Sequence, residues 1–249
     1  MIDIFIASYL RPHYTKETLR YLRERTKYPY RVFLIDQGGN EEFRNEVDYY
    51  IQIRPTTNVH TAWNIALSMA ESEYFITSDP DIYVPELSYP VQGAVKPDSL
   101  RGDWLEIMVR YMDEKPEFAA ISLHPHVLIG AASFDPDDPE DVKEVNMAGA
   151  VMRIMRTEVV RKVGGWEHKL EKGRNHEERT ISSRLIDNGY KVGRTTRIRA
   201  YHPFGLGIGG NWGYGDLTPE EHGHNPDLKE YVESFDRPDN YNQKTWLPK

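Results

Sequence analysis

A chain of 249 residues that is 39% hydrophobic and has no cysteine can bury one large α/β domain or two small ones. It excludes a disulfide framework, a thiolate metal site and a cysteine nucleophile. The formal charge of −8 argues against nucleic-acid binding over the whole surface, an affinity that comes from lysine and arginine neutralising phosphates.

The first third alternates strand and helix signals. Ile2 to Ala7 is almost continuously apolar, as in a strand buried on both faces. Its flank lacks the positive charge and length of a signal peptide. No apolar run reaches the ~18 residues of a membrane span, so a soluble, cytoplasmic protein with no membrane span is expected. Beyond the loop marked by Pro12, Thr15 is placed to cap a helix that carries Leu19 and Leu22 on one face and Glu17 near its positive end, and Pro29 stops it. Arg31 to Ile35 reads as a second strand ending at Asp36, and Gln37-Gly38-Gly39-Asn40 supplies turn chemistry. Tyr50 to Ile53 is a short third strand. After Asn58, a helix with Ala62, Ile65, Ala66 and Met69 on one face leads into a strand at Tyr74. This alternation predicts a parallel sheet with right-handed crossovers, which binds ligands beyond the carboxyl ends of its strands. Ser8, Asp36 and Asp79 all fall at such ends.

Downstream, Ser99 to Lys115 is helical, with Leu105, Met108, Val109 and Met112 on one side. Ala119 to Leu123 and Gly149 to Met155 read as strands, and a short helix near Glu158 to Val163 is broken by Gly164-Gly165-Trp166. Glu177 to Asn188 is the last clear helix, with Ile181, Leu185 and Ile186 as its stripe and Gly189 as its stop. Arg194, Arg197 and Arg199 suit either an exposed strand or a local basic patch. Residues 205–249, rich in glycine, proline and aromatics, are expected to be a flap or tail rather than a domain.

Chemistry concentrates at Asp79-Pro80-Asp81, where an apolar strand ends in two carboxylates. That arrangement suits a divalent cation stabilising charge on a leaving diphosphate, with an acidic turn as the alternative. The same tripeptide recurs at Asp135-Pro136-Asp137, inside an acid- and proline-rich run that reads as a solvated loop. Gly205-Leu206-Gly207-Ile208-Gly209-Gly210 opens no βαβ unit and fails as a dinucleotide loop. His222 and His224 read as an exposed glycine-rich loop.

In the order of its motifs, roughly residues 2 to 203 resemble the GT-A glycosyltransferases, particularly the family 2-like branch. Ile6-Ala7-Ser8-Tyr9-Leu10-Arg11-Pro12 is similar to the opening strand and loop that meet the nucleotide, and Phe33 to Asn40 to the second strand, whose aspartate contacts the base. Asn58, with Ala62 and Asn64, resembles the asparagine-bearing helix before the metal strand, and Asp79-Pro80-Asp81 stands where the family has its DxD motif. Gly164-Gly165-Trp166 resembles the turn beside the acceptor. His176-Glu177-Glu178 through Arg184-Leu185 is similar to the Glu-Asp helix start, with glutamate at 178 where the family has aspartate. Tyr201-His202-Pro203 resembles the late histidine of the metal shell.

The resemblance implies an α/β fold of GT-A type, a Rossmann-like mixed, mostly parallel sheet flanked by helices. It implies one domain over 1–204, with a nucleotide-binding half (1–85) and an acceptor half (86–204). The implied activity is transfer of a hexosyl or pentosyl group from a nucleotide-diphosphate sugar of UDP or GDP type to a hydroxyl acceptor. Asp79, Asp81 and His202 would hold Mn²⁺ or Mg²⁺, and Ala7, Ser8, Arg11, Asp36, Asn58, Asn64 and Asp79 would line the donor site. Either Glu178 or Glu177 would be the base, its alternative being favourable charge at a helix start. Trp166 would stack on the acceptor or lie in the core. The sugar, the base, the acceptor and the stereochemical outcome stay open, and a nucleic-acid acceptor is permitted by the arginines but discouraged by the net charge. Two other classes remain. A nucleotidyltransferase would carry a glycine-rich basic loop after its first strand, where Ser8-Tyr9-Leu10-Arg11 has no glycine. A noncatalytic nucleotide- or sugar-binding module would suit the glutamate at 178.

Overall fold

The structure, a computed structural model, describes residues 1–9, 12–54, 57–85, 102–126, 140–167 and 177–202. These fall in one compact unit. Arg11, Asp135 to Asp137, His176, Pro203 and the proposed flap at 205–249, with its Gly205–Gly210 run, His222 and His224, lie outside the described residues. No helix among the described residues is long and apolar enough to cross a membrane.

The elements run β1 (Ile2–Ser8), α1 (Pro12–Arg25), β2 (Tyr30–Asp36), β3 (Tyr49–Gln52), α2 (Val59–Met69), β4 (Tyr74–Ser78), α3 (Trp104–Glu114), β5 (Phe118–His126), β6 (Val142–Glu144), β7 (Arg153–Arg156), α4 (Thr157–Lys162), α5 (Glu177–Asp187) and β8 (Lys191–Tyr201). They build a mixed sheet in the order β3-β2-β1-β4-β7-β5-β8-β6. The first four strands are parallel, β7 enters antiparallel between β4 and β5, β8 runs parallel to β5, and β6 closes the edge antiparallel to β8. The carboxyl ends of β1, β2, β4, β5 and β8 therefore share one rim. The switch in strand order lies between β1 and β4, where α/β sheets open a ligand crevice.

Successive strand side chains point to opposite faces. Phe5, Phe33 and Phe75 project into a core with Ala62, Trp63, Ala66 and Leu67 of α2 and Ile181 and Leu185 of α5. On α3, Leu105, Met108 and Met112 are buried as the helical period requires. Its N-cap, Asp103, accepts the N–H groups of Leu105 and Glu106 at 2.9 and 3.0 Å, and also those of Lys27 and Tyr28 after α1. One carboxylate thus starts α3 and ties the segment after α1 to that start.

Several expectations are corrected. Thr15 is no cap, because α1 begins at Pro12, whose missing N–H costs nothing in a first turn. Thr15 is instead buried within the helix. Only a 3₁₀ turn, Glu41–Asn45, joins β2 to β3 in place of a crossover helix. The strand expected from Gly149 shortens to Arg153–Arg156. Ile186 is 40% exposed, off the buried face of α5. β6 was not foreseen, since only Val142 of its three residues is buried.

Candidate active site

The rim is organised first by polar contacts between β1 and β2, whose ends stand in register as Ser8 and Asp36. Ser8 Oγ lies 2.7 Å from Thr15 Oγ1, which donates to Asn40 Oδ1 at 3.1 Å, and Asn40 Nδ2 donates to Asp36 Oδ1 at 3.0 Å. The Asp36 carboxylate, expected to meet the donor base, is buried and saturated. Oδ1 also accepts from the Gly38 N–H at 2.8 Å, while Oδ2 accepts from Tyr50 at 2.6 Å and Arg54 at 3.2 Å. Burial alone would push this carboxyl up, but the bonds from Tyr50, Asn40, Gly38 and Arg54 outweigh it and hold it below the usual range. Asp36 therefore shapes the rim and has no lone pair left for a base. Ala7 gives its methyl to the core, leaving only its main chain for a ligand.

The turn after β4 is pinned on two sides. Thr18 Oγ1 of α1 donates to the Pro80 carbonyl at 2.7 Å, and the Asp79 N–H donates to the Ala150 carbonyl at 3.0 Å. This presents Asp79 and the buried Asp81 to His202, which follows the last residue of β8. His202 Nε2 lies 3.5 Å from Asp81 Oδ2. One ligand atom from each of the three residues falls within 4.8 Å of the others. Two carboxylates and an imidazole suit a divalent ion such as Mg²⁺ or Mn²⁺. The electrostatics fit the same group, because burial first and the neighbouring Asp81 charge second push the Asp79 carboxyl up to about 8. A cation would reverse that penalty.

Glu178, in the first turn of α5, stands beside this cluster. Burial and the adjacent Glu177 charge push its carboxyl up to about 7, against the pull of Arg153, the Ala150 N–H and His202. Glu177 is held by direct hydrogen bonds. Its Oε2 accepts from Arg153 Nη2 at 3.0 Å and from Trp166 Nε1 at 2.9 Å, in a buried network. A carboxylate so engaged has no route to an acceptor proton, so the pair separates into Glu178 facing the site and Glu177 facing the core.

Two other expectations are corrected. Trp166 is fully buried, with the Arg153 guanidinium 5.5 Å from its ring centre, and has no face for a sugar. Asn64 Nδ2 donates to the Trp166 carbonyl, and Asn64 Oδ1 accepts the Trp166 N–H, both at 2.9 Å. Its carboxamide holds the Gly164-Gly165-Trp166 turn and does not face a nucleotide. Asn58 caps α2 by accepting the Thr61 N–H at 3.0 Å, at the rim end of that helix.

Arg153 was not singled out from the sequence. The available signal was an arginine opening a short strand, flanked by the apolar Met152 and Ile154. Such a charge requires a partner.

The fold is that of the GT-A glycosyltransferases. Residues 3–92 match the family described as Glycosyl transferase family 2. No curated protein matches the chain by sequence. Among solved structures, Staphylococcus aureus TarS 1-349 superposes with a TM-score of 0.58 at 16% identity, covering 81% of this chain and 60% of that one. The mannosyltransferase PcManGT from Pyrobaculum calidifontis, in complex with GDP-Man and Mn²⁺, gives 0.57 at 14% identity, covering 81% and 56%. GalNAc-T7 with UDP, GalNAc and Mn²⁺ gives 0.61 at 13% identity, covering 81% and 43%. The chain thus spans about 60% of the length of TarS 1-349.

Proposed function

We propose that this protein is a metal-dependent glycosyltransferase that moves a sugar from a nucleotide-diphosphate sugar, of UDP or GDP type, to a hydroxyl acceptor. The observation that carries the reading is the convergence of Asp79, Asp81 and His202 at the switch point of the sheet, with Glu178 beside them. Asp79, Asp81 and His202 would hold Mn²⁺ or Mg²⁺, which when bound neutralises charge growing on the departing diphosphate. Glu178 takes the acceptor's proton as general base, and a carboxyl raised to about 7 is matched to that task near neutrality. Ser8 and the Asp36 network shape the crevice wall on the nucleotide side. In this reading residues 1–85 form the nucleotide-binding half and 86–204 the acceptor half. The cytoplasmic setting is carried over from the sequence.

The test is calorimetry of UDP and GDP with and without Mn²⁺, followed by hydrolysis of UDP-GlcNAc and GDP-mannose. The reading requires binding of one nucleotide that depends on Mn²⁺ and is lost in Asp79→Ala/Asp81→Ala. Metal-indifferent binding, or none, rejects it.

A further inference from the structure

Arg153 is among the largest side chains with no exposed surface, and each arm of its guanidinium reaches a different element. Nε donates to Thr77 Oγ1 of β4 at 3.2 Å, two residues before Asp79. Nη1 donates to the Ala148 carbonyl at 2.9 Å, in the loop whose Ala150 meets both Asp79 and Glu178. Nη2 donates to both oxygens of Glu177, at 3.0 and 3.3 Å. Glu177 also receives Trp166 Nε1, and the Trp166 turn is fixed from outside by Asn64 and by Arg184, which donates to the carbonyls of Gly164 and Gly165. Ser182 of α5 accepts the Ala148 N–H at 3.1 Å. The first turn of α5 is thereby tied to the strand that carries Asp79.

A buried ion pair is a poor way to add stability, because the desolvation of two charges offsets their attraction. Apolar residues of similar volume usually serve as well or better. What a planar fork supplies and an apolar pair does not is direction. We propose that Arg153 and Glu177 are positioning residues for Glu178, fixing the first turn of α5 so that the Glu178 carboxylate stays against the Asp79–Asp81–His202 cluster. This rests on the reading of Glu178 as the base.

The test compares wild type, Arg153→Met/Glu177→Leu and Glu177→Gln, with UDP-GlcNAc and GDP-mannose hydrolysis in Mn²⁺, thermal melting and amide exchange. The apolar pair is expected to melt within a few degrees of wild type and to keep KM within about threefold. Its kcat should fall about 100-fold, the size of effect an ångström-scale displacement has. The Ile181 to Ser183 amides should exchange at least about tenfold faster. Glu177→Gln, which keeps one oxygen acceptor for Trp166 and Arg153 to share, should regain at least about tenfold of that kcat. Wild-type kcat in the apolar pair overturns the proposal, as does a kcat loss that Glu177→Gln shares in full. If the apolar pair does not fold, Arg153→Lys replaces it, keeping the charge and losing the fork, with the same kcat loss at unchanged KM expected and wild-type kcat overturning the proposal. If wild type hydrolyses neither donor but binds UDP or GDP only with Mn²⁺, the functional reading stands and exchange decides this inference: faster exchange at α5 sustains it and unchanged exchange rejects it; if no nucleotide binds, the functional reading fails and this inference falls with it.

Discussion

The carbonyl of Ala150 accepts the main-chain N–H of Asp79 at 3.0 Å, and the N–H of the same alanine donates to the Glu178 carboxylate. A single residue thus sets the spacing between the Asp79 main chain and the Glu178 carboxylate. Its neighbour fixes the other side, since the Val151 carbonyl accepts the Leu123 N–H of β5 at 3.0 Å. The chain then turns into β7 through Met152 at φ 45°. A non-glycine residue in this left-handed region is unfavourable by about 1–2 kcal/mol. The fold tolerates that cost where two consecutive carbonyls must serve strands on opposite sides.

Removing one carboxylate of the proposed metal centre should uncouple nucleotide and cation. Asp81→Ala is expected to weaken UDP or GDP binding in Mn²⁺ by about 100-fold while leaving the weak metal-free binding unchanged. Calorimetry in Mn²⁺ and in EDTA checks this, and an affinity equal to wild type in Mn²⁺ would remove Asp81 from the centre.

Stability without metal should fall as pH rises. Unfolded carboxyls titrate near 4, whereas burial and Asp81 push Asp79 up to about 8, and burial and Glu177 push Glu178 up to about 7. Between those values the folded chain holds more protons than the unfolded one, so the penalty is absent below pH ~4 and complete above pH ~8. Melting in EDTA should therefore drop between pH 5 and pH 8, more steeply in wild type than in Asp79→Asn, and Mn²⁺ should flatten the slope. A melting temperature in EDTA that climbs over this interval more in wild type than in Asp79→Asn would contradict the assignment.

Glu178→Gln keeps the side chain's size and removes its basicity. Donor binding should stay within about threefold of wild type, while kcat falls by ~10²–10⁴, the usual contribution of a positioned base. Steady-state hydrolysis separates the two parameters, and a loss confined to KM would assign Glu178 to binding alone.

The turn at 164–166 should be intolerant of any side chain at 165. Gly165 has φ 64°, and a Cβ there would stand 2.5 Å from Asn64 Oδ1 and 3.0 Å from Leu67 Cδ2. Gly165→Ala is expected to lose about 2 kcal/mol or more from left-handed strain and the displaced Asn64 clamp together. Urea denaturation at constant m-value is the check, and a change below about 0.5 kcal/mol would refute it.

The legible parts of this protein were those where one local pattern decides. β1 and β4 are apolar runs buried on both faces, and the aspartates after β4 could be placed because the strand before them was unmistakable. The first turn of α5 and the histidine after β8 were found by motif order. What stayed hidden depended on residues distant in sequence. The Asn64 carboxamide reads as polar helix surface until the Trp166 main chain arrives to fill it. Arg153 reads as one of many arginines, and only the tertiary pairing with Glu177 explains a charge at an inward strand position. Asp36 looked like a ligand contact because carboxylates at strand ends often are, and the four donors around it come from its own loop, from β3 and from just beyond it.

His202 reaches the cluster only because β8 lies beside β5 and ends at the shared rim. During synthesis, Asp79 and Asp81 leave the ribosome with β4, long before β8 exists. An ion gathered by the two aspartates alone would lack its third ligand until β8 docks, so the binding free energy that His202 adds becomes folding free energy for that docking. The cation would act as a clasp between the turn after β4 and the end of β8.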